Sequence, residues 1–264
     1  MVGNTNLIKF FLEKKYWLSV FLLAKSTISN QTKDSFLGSL WSLFQPFCNI
    51  MVIAYFVGFL LKQPKEAMIM NLVSGLPLWS FIVNSLTNSS NSLINRGSII
   101  KKVIISRTIF PISDCLAQVY TLLYSFLAMY TAFIILYPEK FSLSIVLVPI
   151  LVLPLIICVM SSSILFAFLT PYIRDIPQLL NLVFSIVYWT IPIIYPYSMV
   201  PESKKILFEF NPVFLVIRPV QFLVTEGSPP NIFIIMKSCI VAVIVICLSY
   251  VGYKKCSKNV IYYI

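Results

Sequence analysis

Aromatic rings are the side chains whose type and spacing point most directly to a binding chemistry. Phe, Trp and Tyr make up 15% of the 264 residues, and the rings at 41, 44 and 55 recur at helical steps, so they can share one face. Flat rings lie against the C–H faces of sugars and would suit a path for a long glycan. The alternative is that Trp and Tyr anchor helices at the membrane interface. The candidate rings are Trp41, Phe44, Tyr55, Tyr188, Trp189 and Tyr195.

Basic side chains form the second group. Arg96, Lys101, Lys102 and Arg107 lie in the segment 95–107, around the apolar run 103–105. The net charge of +11 could indicate a nucleic-acid binder, but the Lys and Arg residues are scattered between apolar stretches and form no basic face. We therefore expect no nucleic-acid partner, and the charges indicate membrane topology and contact with anionic lipid headgroups.

The sequence lacks most of the residues that enzymes and ion-coupled pumps use. It has no histidine, which excludes Ser-His-Asp triads, most zinc sites and histidine proton relays. It has no P-loop motif for nucleotide phosphates, and its nine acidic residues are dispersed rather than paired. We expect no catalytic site, no metal and no cofactor in this chain, and we expect another protein to supply the energy for any transport.

Membrane-spanning helices must position these groups. The sequence is 59% hydrophobic and only 11% charged, less than half the usual charge of a soluble domain. We therefore predict an all-α polytopic membrane protein with six transmembrane helices. The second span is rich in Ser and Asn, including Asn84 and Asn88, and such side chains face protein or water rather than lipid. The predicted spans are 36–61, 71–94, 109–137, 143–169, 179–195 and 232–253.

Two further segments and an orientation complete the predicted organisation. Residues 1–35 form a cytoplasmic segment whose stretch 7–24 predicts an amphipathic helix in the membrane interface, and residues 36–264 form one transmembrane domain. Residues 196–230, with several prolines and two short apolar runs, predict an external re-entrant helical hairpin. The side that holds both termini and the segment 95–107 collects 13 of the 20 Lys and Arg residues. The positive-inside rule makes that side cytoplasmic.

Several short motifs, in this order and spacing, resemble the membrane subunit of ABC-2 type polysaccharide exporters, which move lipid-linked O-antigen, capsule or teichoic acid. Each motif alone is weak, but the set covers about residues 36 to 230. The matching stretches are 37–41 (LGSLW) with 45–46 (QP), 75–79 (GLPLW), 93–94 (LI) with 99–103 (IIKKV), 110–113 (FPIS), 172–175 (YIRD), 191–196 (IPIIYP), and 211–212 (NP) with Arg218.

The resemblance implies roles for three regions. The segment 95–107 would be a coupling helix that docks on a separate ATP-binding subunit, and a plain positively charged loop is the alternative. Arg174 and Asp175 would lie at the cytoplasmic entrance in a salt-bridged network, or would simply cap a helix. The hairpin would be an external gate, with Asn211 and Pro212 at its turn and Arg218 beyond it.

The resemblance also implies partners and a location. Two copies of the chain would enclose the channel and pair with two ATP-binding subunits, which hold ATP and Mg²⁺. The complex would export a lipid-linked polysaccharide, with O-antigen as the first expectation, across the bacterial inner membrane. The alternatives are teichoic acid, capsule or a small drug as cargo, or a membrane enzyme of glycan assembly that uses the external acids Glu202, Glu209 and Glu226.

Overall fold

Helices make up all the regular structure of the residues that the computed structural model describes, which are 14–32, 41–61, 65–103, 105–136 and 143–264. The predicted all-α class is therefore confirmed. Short 3₁₀ turns occur at Leu143–Leu147, Tyr197–Met199 and Val260–Tyr262. The α-helices are α1 (Lys14–Thr32), α2 (Trp41–Leu61), α3 (Lys65–Ser90), α4 (Ser92–Asn95), α5 (Gly97–Ile100), α6 (Ile109–Leu136), α7 (Val148–Leu151), α8 (Leu153–Leu169), α9 (Ile176–Thr190), α10 (Glu202–Glu209), α11 (Pro212–Glu226) and α12 (Ile232–Cys256).

Three stretches of the described chain are long and apolar enough to cross a membrane: Met68–Ser90, Ser144–Leu169 and Ile232–Cys256. A fourth span results if α10 and α11, whose axes bend by 109°, are counted together. Helices α2 and α6 coincide with the predicted first and third spans. The chain is thus compatible with a polytopic membrane protein, and the count of six spans stays a prediction.

Helix α3 lies at the centre of the fold. Of an 18-residue apolar window within its stretch Met68–Ser90, 72% is buried within the chain, against 17% of the corresponding window in α12. The main apolar core forms around Leu78, Leu155 and Ile217, none of which is more than 1% exposed. Of the polar side chains predicted to face protein or water in this span, Ser85, Ser89 and Ser90 are fully buried in protein, and the exposed Asn84 and Asn88 line cavities.

The predicted fifth span, 179–195, is wrong at its end. Helix α9 stops at Thr190, and Ile191 has extended backbone angles, φ −109° and ψ 135°. The reason is Pro192, which disfavours the helical conformation of the preceding residue and has no N–H to continue the helix. With 15 residues, α9 is about 22 Å long, shorter than a hydrocarbon core of about 30 Å. The chain continues as an irregular segment, 191–196.

The N-terminal helix is packed on the transmembrane domain. In α1, Tyr16, Val20 and Ala24 are buried, and Tyr16 and Val20 join Ile109 and Ile112 at the start of α6 in one apolar cluster. Its other face leaves large apolar side chains exposed, as the amphipathic prediction requires. Residues 1–13 and 33–40, as well as 62–64, 104 and 137–142, lie outside the described residues, so the N-terminal part of the predicted interfacial helix and the start of the first span are not covered.

Candidate functional site

A cavity of ≈ 840 Å³ opens between α2, α3, α6 and α9. None of the described residues that line it carries a charge, and about half present an amide or a hydroxyl group. Polar groups within membrane-spanning helices are expensive unless they face protein, water or a polar ligand, so the lining of this cavity is suited to water or a polar ligand. The lining residues are Asn49, Ile53, Leu76, Pro77, Trp79, Ser80, Val83, Asn84, Thr121, Ser125, Asn181, Phe184, Ser185, Tyr188 and Trp189.

One wall of this cavity is a cluster of aromatic rings. Trp79, from α3, lies edge-to-face with Phe184 at 6.0 Å between ring centroids and 5.5 Å from Tyr188. Tyr188 in turn meets the ring of Trp189 at 5.7 Å. Because Trp79 is 8% exposed, it fixes the positions of the α9 rings, while Trp189 stays 70% exposed. Two of the six predicted lining rings are therefore at the cavity, and Trp79 is an addition.

The irregular segment 191–196 is held against α3 by one buried amide. Asn71, 2% exposed, donates from Nδ2 to the carbonyl oxygens of Pro192 (3.1 Å), Ile193 (2.7 Å) and Tyr195 (3.0 Å). Gln221, from α11, donates to the same Pro192 oxygen at 3.0 Å. These bonds provide donors for carbonyl oxygens of a non-helical segment, since a buried carbonyl without a donor is costly.

Gly75 lets α3 approach this segment closely. A Cβ atom at Gly75 would lie 2.9 Å from Nε2 of Gln221 and 3.1 Å from Cγ2 of Ile193, closer than ordinary van der Waals contact. An added methyl group at Gly75 would therefore displace the ends of the Gln221 and Ile193 side chains, and the tryptophan of the same stretch builds the ring cluster.

The other four predicted rings lie elsewhere. Trp41, Phe44 and Tyr55 are more than half exposed on α2, and α2 lines the cavity with Asn49 and Ile53 instead. At 3.6 residues per turn these two faces of α2 are roughly 130° apart. The half-buried Tyr195 contributes its backbone oxygen to the bond from α3. A channel-lining role for these four rings stays a prediction.

Arg96 anchors the segment 95–107 to α6. Its guanidinium donates two bonds of 2.7 Å to the two carboxylate oxygens of Asp114 and one of 3.4 Å to Thr27 on α1. Asp114 is 6% exposed, so this fork-to-fork pair is desolvated and geometrically specific. Arg96 thus faces inward, whereas the sequence placed it with the groups that contact a partner.

The C-terminal residues support the same segment. A Cβ atom on Gly97 would lie 2.7 Å from Cγ2 of Ile264, and Val260 is fully buried beside Leu93 and Ile100. Arg107 donates to the carbonyl oxygen of Ser257 at 3.4 Å, and partial burial lowers the pKa of its guanidinium from the usual value.

The outer face of this segment is free of the rest of the described chain. Lys101 and Lys102 are exposed, and they are flanked by Ile99, Val103 and Ile105, which are 38–48% exposed. We call these five residues the coupling surface. Two cations among three exposed apolar side chains, backed by a rigid attachment at Arg96, form a surface suited to a protein partner.

The remaining predicted residues lie at α9 and at the bent pair α10–α11. Arg174 and Asp175 are exposed, and neither forms an ion pair with a residue in the described ranges. Asp175 precedes α9 but accepts no capping hydrogen bond from it. Their role at an entrance stays a prediction.

The turn of the bent pair is where the sequence placed it. Asn211 caps α11, accepting from the backbone N–H groups of Val213 (3.0 Å) and Phe214 (3.3 Å), and Pro212 is the first helical residue. The Asn211 amide also donates to Thr190 Oγ1 at 3.3 Å, which ties the turn to the end of α9. Its function as an external gate stays a prediction.

Arg218 lies within α11 among aromatic rings. Its guanidinium carbon is 4.5 Å from the centroid of Tyr197 and 5.5–5.9 Å from those of Phe222 and Phe214. These distances fit cation–π contacts. Arg218 therefore packs α11 against the 3₁₀ turn that precedes α10.

Comparison with known families identifies the fold described above. Residues 19–223 match the model of a family described as ABC-2 type transporter. The chain belongs to the ABC-2 type transporter family. The match includes the cavity, the segment 95–107 and most of the bent pair, so all three belong to the part of this ABC-2 transporter chain that defines the family.

Curated relatives cover most of this ABC-2 transporter chain. An O-antigen export system permease protein RfbA of Klebsiella pneumoniae is 27% identical over 222 residues, which are 82% of this chain and 85% of the relative. A second protein of that name from the same species is 27% identical over 197 residues, 74% of this chain and 76% of its own length. The Myxococcus xanthus protein of that name is 20% identical over 229 residues, 85% of this chain and 86% of the relative.

Proposed function

We propose that this chain is the channel-forming transmembrane subunit of an ATP-driven exporter that moves a lipid-linked polysaccharide, O-antigen in the first place, outward across the bacterial inner membrane. The family and the names of the relatives support transport and this class of cargo. The observation that carries the proposal is the large cavity. Amides, hydroxyls and aromatic rings without a charged side chain are the groups that bind neutral sugars and still release them.

The alternatives fit this cavity less well. An exporter of ions or charged drugs would need charged or closely grouped ligands along its path, and the cavity lining has no charge. Teichoic acid and capsule remain possible cargoes of the same class. A glycan-assembly enzyme would need free external acids. Glu202 pairs with Lys205 and Glu209 lies 3.0 Å from Lys237, which leaves Glu226 as the one acid of the three for that role.

The coupling surface would dock on a separate ATP-binding subunit. Nucleotide binding needs a phosphate-cradling loop that this sequence lacks, so ATP and Mg²⁺ would be held by that subunit. Closure of its ATP site would push the coupling surface. The Arg96–Asp114 pair would then pass the movement to α6, which forms part of the cavity wall.

Two copies of this chain and two ATP-binding subunits would form the complex. A cavity bounded by helices of a single chain is open on one side, and the exposed rings of α2 offer an apolar surface for a second copy or for lipid. Both termini and the segment 95–107 would be cytoplasmic by the positive-inside rule. The bent pair α10–α11 would then gate the external end.

Affinity purification tests this proposal. The chain, tagged and purified from its native membrane, is expected to bring a P-loop ATPase in equal amount. The double variant K101E/K102E is expected to lose it, because four units of charge change on the coupling surface. The matched control is K254E/K255E, with the same charge change on exposed lysines at the end of α12. A chain that purifies without an ATPase, or that loses it equally in both double variants, contradicts the proposal.

A further inference from the structure

We propose that a second, smaller pocket beside the segment 95–107 binds one neutral sugar ring. This inference rests on the proposed function, to which it adds a glycan subsite at the cytoplasmic entrance. The small pocket has a volume of ≈ 350 Å³, room for about ten water molecules, which suits a single ring rather than a chain. It is lined by Thr27, Asn88, Asn95, Arg96, Asp114 and Gln118.

The amide groups of this pocket are available to a ligand. Gln118 is only 6% exposed, lines the pocket, and its amide bonds to no residue in the described part of the chain, so the amide presents its donors and its acceptor to the pocket. Asn88 and Asn95 likewise bring amides to the pocket without a bond to a described residue, and both are exposed, so the pocket opens to the outside of the chain.

The charge of the pocket selects a neutral ligand. The single cation, Arg96, and the single anion, Asp114, are bonded to each other through both carboxylate oxygens, so their charges cancel. A phosphate would compete with Asp114 for the guanidinium, and a metal ion would meet its positive charge. Planar amides beside an ion pair instead offer fixed donors and acceptors at several angles, which match adjacent hydroxyl groups of a sugar ring.

A ligand in the small pocket would contact two functional regions of the chain. Its walls come from α1, α3, α6 and the segment 95–107, so a bound ring would bridge the segment that carries the coupling surface and the helices that bound the large cavity. A sugar at this place would report the presence of cargo to the coupling surface through Arg96.

Saturation-transfer NMR on the purified full chain in nanodiscs tests the binding directly. The probes are a panel of neutral methyl glycosides, the corresponding sugar 1-phosphates and one matched disaccharide glycoside. At least one methyl glycoside is expected to bind saturably, and its 1-phosphate more weakly. The disaccharide is expected to bind as well, because its second ring stands for the rest of a glycan; its rejection would restrict the pocket to free sugars and overturn the glycan subsite.

Four variants place the binding in the small pocket. Q118L and N88L are each expected to raise the Kd about fivefold, the loss of one hydrogen bond of ordinary strength. N88L replaces an exposed side chain and keeps the test valid if Q118L fails to fold. N84L, one turn earlier on α3, changes an amide of the large cavity and reports binding there. The matched control is N30L, an exposed asparagine that lines neither cavity, which should leave the Kd within about twofold.

The outcomes separate this inference from the proposed function. Absence of glycoside binding, tighter binding of the 1-phosphates, or an effect of N84L without an effect of N88L would each overturn the small-pocket site. Co-purification of an ATPase would leave the proposed function standing in all three cases. Glycoside binding that depends on Asn88, in a chain that brings no ATPase, would instead keep the site and refute the transporter complex.

Discussion

Asn71 is the side chain on which the shape of the large cavity depends, and N71L is the most informative single substitution. The irregular segment 191–196 follows directly after the cavity rings Tyr188 and Trp189, and three of its carbonyl oxygens accept from the Asn71 amide. The substitution keeps a side chain of similar size and removes both donor hydrogens. We expect the segment to loosen and the α9 rings to lose their fixed position.

The expected loss in the free energy of unfolding follows from the number of carbonyl oxygens that lose their hydrogen-bond donor. The Pro192 oxygen keeps the bond from Gln221, so two carbonyls, of Ile193 and Tyr195, lose their donor. A buried polar group left unsatisfied costs about 1–3 kcal/mol. The bond to Ile193 is buried and carries this cost in full, whereas the bond to Tyr195 is partly buried and carries less. Single substitutions rarely cost more than about 4–5 kcal/mol, and we expect about 3 kcal/mol.

Unfolding of the purified chain in mixed micelles, followed by circular dichroism over a detergent titration, measures this cost. N84L is the matched control, because Asn84 is an exposed asparagine on the same helix without a hydrogen bond to a described residue. It should stay within about 0.5 kcal/mol of the unsubstituted chain. Equal free energies of unfolding for N71L and N84L would refute the argument that Asn71 holds the segment.

Three further substitutions test the attachment, the close packing and the rings. D114N is expected to lower the free energy of unfolding by about 3 kcal/mol in the same measurement. This is the lower end for a broken buried ion pair, because the Arg96 side chain is 21% exposed. An unchanged unfolding midpoint would contradict the pairing. G75A is expected to cost about 1–3 kcal/mol, because its Cβ would lie 2.9 Å from a nitrogen of α11; a stabilised chain would show that α3 and α11 are not so close. Y188L should slow glycan export about two- to tenfold at equal protein level, which is the rate equivalent of one ring contact of about 0.5–1.5 kcal/mol. The control Y250L, which changes an exposed ring, should leave export unchanged. Equal export by both variants would count against a ring-lined path.

Residue type and local spacing were sufficient to predict the helical class and the buried serines of α3, and the family resemblance placed a turn at Asn211 and Pro212. Each of these depends on neighbours within a few residues: a polar stripe on one face, or an Asn-Pro pair at the first turn. The end of α9 was missed although Pro192 signalled it. The apolar run continues past the proline, and apolar composition alone does not separate a helix from a buried irregular segment.

The features that could not be predicted depend on contacts between residues that are distant in sequence. Asn71 meets oxygens 121 to 124 positions away, and Gly75 packs against α11, so neither role is visible in the local pattern. Arg96 was grouped with Lys101 and Lys102 by charge, and only the packing of α6 shows that Asp114 turns it inward. Gln118 gave a weak signal as an amide within an apolar stretch, without indicating which pocket it faces.

The location of the lipid-linked polysaccharide in cells that lack this chain tests the central claim most directly. After deletion, the glycan should be absent from the cell surface and should accumulate on its lipid carrier at the cytoplasmic face, with normal chain length. The unsubstituted gene should restore surface glycan, and K101E/K102E should not. Surface glycan that persists at a normal level after deletion would contradict the account, as would a glycan that is never assembled.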